Sequence, residues 1–289
     1  MSAVNSVQFA CHTGYAHRPK GHVLDGEDLM QLMAGLEENG LASFDFLLTG
    51  YIGNVDFLRK VLDVLKALKA NSAHVAYHCD PVLGDHGKLY VPEALVAEYK
   101  RNVVPVADVL TPNEFEAELL SDVSICDLPS ALSALSVLHS HGATTVVMTS
   151  GDSTAAQCEQ HASAAHTPLP AAAAAADMVA LVSCPWGLVE GDKLRWSEEE
   201  RTGTHARYAT AVCSTSRLRR TARFVCRFAV TIPRLEGSFT GTGDLTSALL
   251  LAWMNKRPGC MVGSMLQVIR TVHVSTPCLA WFVCAPPAL

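Results

Sequence analysis

Gly241-Thr242-Gly243-Asp244 stands immediately before residues 245–253, an apolar run of helical character. The two glycines and the threonine predict a turn rich in backbone N–H groups at the N-terminus of a helix. Such a terminus carries a partial positive charge and binds anions well. The Asp244 carboxylate beside it can accept a proton from a hydroxyl group. The stretch therefore predicts either a phosphoryl-transfer centre or a plain glycine turn in which Asp244 caps the helix.

Five polar clusters in the first half of the chain each follow a short β-like run. In open parallel α/β sheets, ligands bind at the carboxyl ends of the strands. We therefore expect the clusters to meet at one edge of such a sheet. They are HTGY at 12–15, TGY at 49–51, CDPVLGD at 79–85, TPNEFEAE at 111–118 and TS at 149–150.

Four segments of the first half show the apolar spacing or the capping residues of helices. They alternate with the β-like runs, which predicts a parallel sheet with crossover helices. We expect helices from Asp25 to near Gly40, after Asn54, over about 92–100 with Pro92 in the first turn, and from Asp127 to Gly142.

The composition is that of a compact enzyme. The chain has 289 residues, of which 49% are hydrophobic and 17% charged, and its net charge of −6 argues against general nucleic-acid or membrane-surface binding. Ten cysteines occur without a CxxC pair or zinc-ligand spacing, which indicates reduced thiols in a cytoplasmic protein. We expect no signal peptide and no membrane-spanning segment, because no apolar run is long enough.

The second half differs from the first in composition. Residues 155–176 are rich in alanine, and residues 195–234 hold nine of the fourteen arginines. The apolar periodicity is lost there, which predicts a surface insertion or disorder. We expect a core over 1–152, a poorly ordered insert over 153–236, the glycine turn and its helix over 237–259, and a divergent tail over 260–289.

In this order and at these separations, the motifs resemble those of the pyridoxal kinase family, within the ribokinase-like superfamily. The resemblance covers roughly residues 3–152 and 237–256. VNSVQF with HTGY, CDPVLGD, TPNxFEAELL and GTGDL are specific together, although each is weak alone. The resemblance implies an α/β fold, a ribokinase-like three-layer sandwich with a mostly parallel central sheet and helices on both faces.

The sequence departs from the family pattern in three places. The family's first βα unit, with a serine that holds the pyridine ring, precedes the position of Val4, so we expect a neighbouring strand with an unpaired edge. The interval before Gly241 is longer than the family's β-rich nucleotide wall and does not resemble it. The last thirty residues lack the family's long closing helix.

The resemblance implies a role for each matching residue. Asp244 would be the catalytic base, and the N–H groups of Gly241, Thr242 and Gly243 would stabilise the transferred phosphoryl group. Alternatives remain, because Asp80 and Asp85 also suit a plain surface loop and Asn113 suits a helix cap. The implied ATP contacts are Asp80, Asn113, Glu116, Thr149, Ser150, Thr242 and Tyr90, and the implied metal contacts are Asp80, Asp85, Thr111 and Glu116.

A second group of residues would hold the substrate. Thr13 and His12 would contact the pyridoxal ring, although His12 also suits a plain surface position. Residues 14–24 resemble the family's flap, which would exclude water from the phosphoryl donor. The implied substrate contacts are Val7, Phe9, His12, Thr13 and Tyr51.

The function implied is ATP-dependent phosphorylation of the 5′-hydroxymethyl group of pyridoxal, and of pyridoxine and pyridoxamine, in vitamin B6 salvage. Mg²⁺ and a monovalent cation, K⁺ or Na⁺, would assist, and we expect a homodimer with no nucleic-acid or membrane partner. Two alternatives stay open. One is a related kinase of hydroxymethylpyrimidine or a sugar, and the other is a truncated, non-catalytic remnant of the family.

Overall fold

The computed structural model describes residues 2–11, 17, 19–149, 241–257, 264, 267 and 268, together with the backbone of three strands between 178 and 232. Eleven strands and six α-helices lie in these parts of the chain. They are β1 Val7–Phe9, β2 Gly21–Val23, α1 Gly26–Glu38, β3 Phe46–Thr49, α2 Val55–Asn71, β4 Ala76–Cys79, β5 Gly84–Asp85, β6 Lys88–Leu89, α3 Glu93–Glu98, β7 Val109–Leu110, α4 Glu114–Ser121, α5 Leu128–His141, β8 Thr145–Met148, β9 Met178–Cys184, β10 Ser214–Arg217, β11 Phe224–Ile232 and α6 Thr242–Lys256.

A seven-stranded sheet forms the centre of the fold, in the order β10-β11-β9-β8-β7-β4-β3. The four strands from the first half, β3, β4, β7 and β8, pair in parallel. The other three pair antiparallel. The predicted α/β architecture with a parallel core is confirmed. The parallel part of the sheet ends at β8, which pairs antiparallel with β9.

Strands β9, β10 and β11 correct the expectation that 153–236 is wholly a surface insertion or disordered. All three belong to the central sheet. The sequences of β9, MVALVSC, and β11, FVCRFAVTI, are rich in residues that favour strands. The alanine and arginine bias around them hides this local preference. The boundaries of the remaining segments stay a prediction.

Strand β1 corrects a second expectation, because it lies outside the central sheet. It pairs antiparallel with β2 in a separate two-stranded sheet. Gly21 of β2 permits this pairing, since a Cβ there would collide with the Gln8 carbonyl. The first of the five polar clusters therefore follows a hairpin strand, and part of the expected flap is β2 itself.

Three of the predicted helices begin at the predicted residues, and the two whose ends were predicted, α1 and α5, also end close to them. Asp25 and Asp127 cap α1 and α5 through capping boxes, and Asn54 caps α2 by accepting from the Phe57 N–H. Gly142 ends α5 with φ of 127°. At the fourth, Pro92 precedes α3 as its N-cap, and a π-helical turn continues the chain over Tyr99–Val103.

The core lies between the parallel strands and the helices that connect them. Tyr77, Leu110 and Val146, from three neighbouring strands, have no exposed surface. Helix α2 contributes the largest helical face, with Leu58 fully buried. In the described part of the chain, no helix is both long and apolar enough to cross a bilayer.

Candidate functional site

The ends of four parallel strands form one edge, which backbone hydrogen bonds hold together. The Asp80 N–H donates to the Thr49 carbonyl at 2.9 Å, and the Thr111 N–H donates to the Cys79 carbonyl at 3.0 Å. The register places Thr49 opposite Cys79, at the ends of β3 and β4. Four of the five polar clusters therefore begin at this edge, as the sequence predicts.

Glu116 holds the loop after β4 in place. One carboxylate oxygen accepts from the Leu83 N–H at 2.8 Å and the Gly84 N–H at 3.4 Å, and the other accepts from the Asn113 N–H at 2.9 Å. Glu116 is 3% exposed. Burial raises the pKa of its carboxyl to about 7, against the lowering effect of these N–H donors.

Asn113 acts as the N-cap of α4. Its side-chain oxygen accepts from the Glu116 N–H at 2.8 Å, which completes a capping box. Its amide nitrogen donates to the Gly84 carbonyl at 2.8 Å. Both predicted residues therefore join α4 to the loop at 79–85.

The loop at 79–85 has little conformational freedom. A Cβ at Gly84 would collide with the Lys88 carbonyl and lie 2.8 Å from the Phe115 ring. Val82 has φ of 40°, a conformation that a β-branched residue rarely adopts. Such strain concentrates at functional sites, where the surroundings enforce it.

Asp80 is the buried carboxylate at the centre of the edge, with 5% exposure. Its Oδ2 accepts from the Ser247 hydroxyl at 3.0 Å. The pKa of Asp80 is raised to about 7, first by burial and then by the negative charge of Glu116, with a further contribution from Asp244. Two other carboxylates, those of Glu116 and Asp244, therefore act on Asp80 across this edge.

The glycine turn lies at the start of α6, where Gly241 has φ of 82°. Asp244 is inside the first turn, and α6 has no side-chain cap among the described residues. The alternative in which Asp244 caps the helix is therefore wrong. A Cβ at Gly50 would lie 3.2 Å from Asp244 Oδ1, so this carboxylate approaches the TGY motif. Asp244 is exposed, and partial desolvation still raises its pKa.

Two of the predicted substrate contacts, Val7 and Phe9, lie on a strand that is attached to a third, Tyr51. The Ser6 hydroxyl donates to the Tyr51 carbonyl at 2.6 Å, which attaches the hairpin strand that carries Val7 and Phe9. All three predicted side chains are half-buried. His12 and Thr13 lie outside the described residues.

Thr149, Tyr90 and Asp85 are the remaining predicted residues that the structure describes. The Thr149 N–H donates to the Pro112 carbonyl at 2.9 Å, while Ser150 lies outside the described residues. Tyr90 is 55% exposed. Asp85 is half-buried and accepts from the His86 N–H at 2.8 Å.

The site has an excess of negative charge. In the described ranges, no lysine or arginine forms an ion pair with Asp80, Glu116 or Asp244. The same ranges hold no group of three or more His, Cys, Asp or Glu side chains arranged to bind a metal unaided. Carboxylate and hydroxyl oxygens suit Mg²⁺, which binds through one or two carboxylates, water and phosphate oxygens.

Ser247 and Gly50 are site residues that the sequence prediction missed. Ser247 follows Asp244 by three residues, so helical spacing places it near the same face. Gly50 stands in the TGY cluster beside the predicted Tyr51, and its missing side chain leaves room for Asp244. Spacing alone could have suggested Ser247 once the helix was assigned.

Known proteins resemble this chain in sequence and in fold. The family described as Phosphomethylpyrimidine kinase matches residues 42–215. Pyridoxal kinase of Homo sapiens is 37% identical over 281 residues, covering 94% of this chain and 74% of that protein. Pyridoxal kinase of Sus scrofa is 36% identical over 277 residues, covering 94% and 71%. The structure of pyridoxal kinase from Leishmania donovani with ADP and pyridoxine superposes with a TM-score of 0.71 at 27% identity, covering 99% of this chain and 79% of that one.

The similarity extends further than the motifs indicate. The motifs cover about 3–152 and 237–256, whereas the human alignment spans 94% of the chain. The matched region therefore continues into 153–236, where β9, β10 and β11 extend the sheet. The similarity of this interval was missed because its composition, unlike its strands, is atypical.

Proposed function

This chain belongs to the pyridoxal kinase family, and from that premise we propose that it transfers the γ-phosphoryl group of ATP to the 5′-hydroxymethyl group of pyridoxal. Pyridoxine and pyridoxamine carry the same hydroxymethyl group and are substrates too. The products are the 5′-phosphate and ADP, as vitamin B6 salvage requires. The observation that carries the proposal is the Asp244 carboxylate at the start of α6, beside Gly50 and facing the buried Asp80.

Asp244 is the catalytic base. It accepts the hydroxyl proton as the substrate oxygen forms a bond to the γ-phosphorus and the bond from that phosphorus to the β-phosphate oxygen breaks. The raised pKa of its carboxyl favours that transfer. The N–H groups of Gly241, Thr242 and Gly243 stabilise the negative charge on the transferred group, because they lie at a helix N-terminus.

The nucleotide half of the site consists of the strand ends and α4. Asp80, Thr111 and Thr149 follow three adjacent strands and border the ATP phosphates, with Thr242 opposite them on α6. Asn113 and Glu116 hold the loop that carries Asp85. Tyr90, which is exposed, and Ser150 contact the nucleotide from the margin.

We propose that Mg²⁺ and a monovalent cation, K⁺ or Na⁺, bind beside these carboxylates. The excess negative charge and the oxygen donors fit hard cations. Asp80, Asp85 and Thr111 would hold Mg²⁺, with Glu116 acting through ordered water because its oxygens already accept three N–H groups. When bound, Mg²⁺ would offset the negative charge of the ATP phosphate groups. Removing divalent ions with EDTA should abolish turnover.

The substrate half lies around Tyr51. Phe9 and Tyr51 pack on the faces of the pyridine ring, and Val7 adds an apolar wall. Thr13 and His12 bind the ring substituents through hydroxyl and imidazole groups. The β1–β2 hairpin, attached at the Tyr51 carbonyl, covers this side and excludes water from the phosphoryl donor.

A kinase of hydroxymethylpyrimidine is the second candidate, because the matching family carries the description Phosphomethylpyrimidine kinase. Both substrates present a hydroxymethyl group on an aromatic ring, so they differ only on the substrate side. Comparing kcat/KM for pyridoxal and for hydroxymethylpyrimidine distinguishes them. Higher kcat/KM for the pyrimidine would overturn the pyridoxal assignment.

The direct test is formation of pyridoxal 5′-phosphate by the purified chain with Mg·ATP and K⁺. Turnover that depends on all three components would support the proposal. Folded protein that forms no product would favour the non-catalytic alternative.

We also propose a cytoplasmic homodimer. The proposal rests on the family resemblance and on the predominance of reduced thiols that the sequence predicts. Light scattering after size-exclusion chromatography would measure the mass of the protein in solution. A measured mass of 30.9 kDa, which is the mass of one chain, would overturn the dimer.

A further inference from the structure

Ser247 joins α6 to two strand ends. It is 3% exposed, its hydroxyl donates to Asp80 Oδ2 at 3.0 Å, and it lies 3.0 Å from the Thr111 hydroxyl. Asp80 follows β4 and Thr111 follows β7. One side chain therefore connects three segments that are far apart in the sequence.

The three polar groups have a defined direction of donation. Each hydroxyl has one proton, so a Ser247 that donates to the Asp80 carboxylate accepts from Thr111. The other acceptors of Thr111 in the described residues are the Cys79 carbonyl, at the long distance of 3.5 Å, and the Asp80 carboxyl, whose pKa the Thr111 hydrogen bond lowers. The chain of hydrogen bonds runs from Thr111 through Ser247 to Asp80, with this direct contact beside it, and it ends on a carboxylate, where hydrogen bonds are strongest.

The chain of hydrogen bonds fixes Asp80 against the start of α6. A Cβ at Gly243 would lie 3.7 Å from Asp80 Oδ2, the same oxygen that Ser247 binds. Gly243 and Ser247 are one helical turn apart and share a face. The same face continues into the core through Leu250 and Met254, which are 0% and 8% exposed, so α6 is held in this orientation.

We propose that Ser247 is a positioning residue for the nucleotide half of the site, because its hydroxyl holds the Asp80 carboxylate against the first turn of α6. The inference rests on the proposed function, since Asp80 borders the ATP phosphates there. Ser247 itself does not touch the reacting atoms. It acts through Asp80, so its removal affects the nucleotide and leaves the substrate ring untouched.

The test is Ser247→Ala, measured by steady-state kinetics and by calorimetric binding of Mg·ADP. We expect KM for Mg·ATP and Kd for Mg·ADP to rise about tenfold, as loss of one hydrogen bond to a charged group predicts. KM for pyridoxal should change less than about twofold, because the lost hydrogen bond acts on Asp80 beside the nucleotide and not on the residues around the pyridoxal ring.

Ser121→Ala is the matched control. Ser121 is also a buried helical serine, 5% exposed, but its hydroxyl donates to the Ala117 carbonyl within its own helix. It should share any small loss of thermal stability and leave Kd for Mg·ADP unchanged. Ser247→Thr, which restores a hydroxyl, should recover most of the nucleotide affinity.

A double-mutant cycle with Thr111→Val tests the chain of bonds and does not depend on the threonine variant folding. If Thr111 acts through Ser247, the double variant should lose less nucleotide affinity than the two single losses combined. Additive losses would overturn the chain. Equal rises in both KM values, or an unchanged Kd in Ser247→Ala, would overturn the positioning role.

Failure of the proposed function is a separate outcome. A parent chain that binds Mg·ADP but does not phosphorylate pyridoxal would overturn that function, while the Kd values would still decide the role of Ser247. A parent that phosphorylates pyridoxal, with Ser247→Ala indistinguishable from it, would overturn the positioning role alone.

Discussion

Helices α4 and α6 both begin at the ligand edge of the sheet, but their first turns are built differently. The start of α4 is closed by its own side chains, with Asn113 and Glu116 in a reciprocal capping box. The start of α6 is a left-handed Gly241 without a side-chain cap. Their third helical residues, Glu116 and Asp244, differ accordingly, because one is buried and the other exposed.

The difference separates a carboxylate that supports the fold from one that is available for chemistry. Glu116 accepts hydrogen bonds from three backbone N–H groups, so it cannot bind another group directly without losing some of these bonds. Asp244 faces the TGY motif and makes no cap bond to its own helix. We therefore expect that replacing the carboxylate by an amide lowers mainly activity at Asp244 and mainly stability at Glu116.

The largest effect should come from Asp244→Asn. Loss of the base should lower kcat about 10³-fold, while Kd for Mg·ADP changes less than about threefold. Coupled spectrophotometric assays and calorimetry measure the two quantities. Asp28→Asn is a control for the loss of a first-turn aspartate in another helix, because Asp28 lies in the first turn of α1 and completes its capping box. Turnover of Asp244→Asn within tenfold of the parent would contradict the assignment.

Glu116→Gln should act mainly on stability. The amide places an NH₂ group against backbone N–H donors, so we expect the free energy of unfolding to fall by about 2 kcal/mol. Urea titration measures this. Glu118→Gln is the control, since Glu118 accepts from the Ile125 N–H through one oxygen, which the amide oxygen can replace. If Glu116→Gln is as stable as its control, Glu116 does not support the fold in this way.

Gly241→Ala should combine a stability loss with a nucleotide defect. Its left-handed φ should cost about 1 kcal/mol once a Cβ is present. Gly40→Ala controls for this, because Gly40 has φ of 67° and similarly open surroundings away from the site. Both variants should lose stability, and Gly241→Ala alone should raise KM for Mg·ATP. An equal KM in the two variants would mean that the turn does not bind the phosphates.

Arg59→Met tests the contrast with a carboxylate that has a charged partner. Glu98 is 5% exposed, and its hydrogen bonds to Arg59 lower the pKa of its carboxyl. Because the pKa of Glu98 is lowered in the folded state, its ionised form stabilises the protein at pH values above its ordinary pKa of 4.5. This stabilisation is lost as the pH falls through the pKa of Glu98 in the folded protein. The Tm should drop by about 2 °C at neutral pH, and the difference should narrow as the pH falls below 4.5.

Lys66→Met is the control for that measurement. Its ion pair with Asp63 is exposed and spans 3.7 Å, so it should change the Tm little at any pH. A Tm difference for Arg59→Met that does not depend on pH would contradict the role of the Glu98 charge.

The sequence predicted features that depend on neighbouring residues. Asp25, Asn54 and Asp127 cap their helices as expected, because a cap needs only the next three residues. The strand-end clusters after β3, β4, β7 and β8 also lie where predicted. Their position follows from the alternation of strands and helices.

Features that depend on distant residues were not predictable. The sequence indicates that Asn113 suits a helix cap, but it does not indicate that Glu116 binds the Leu83 and Gly84 N–H groups. Strand β1 has the same local pattern as the sheet strands, and only its pairing with β2 shows that it is separate. The Ser247 contact with Asp80 joins residues too far apart for spacing to indicate.

The Asp80–Ser247 hydrogen bond can form only late in synthesis, because its two residues are far apart in the sequence. The two residues are 167 positions apart. At about 5–20 residues per second, a ribosome makes Asp80 roughly ten to thirty seconds before Ser247. Through that interval the nascent sheet edge holds a carboxylate whose hydroxyl partner has not been translated. A chain whose synthesis stops before α6 would therefore lack both the hydroxyl partner of Asp80 and the glycine turn beside it.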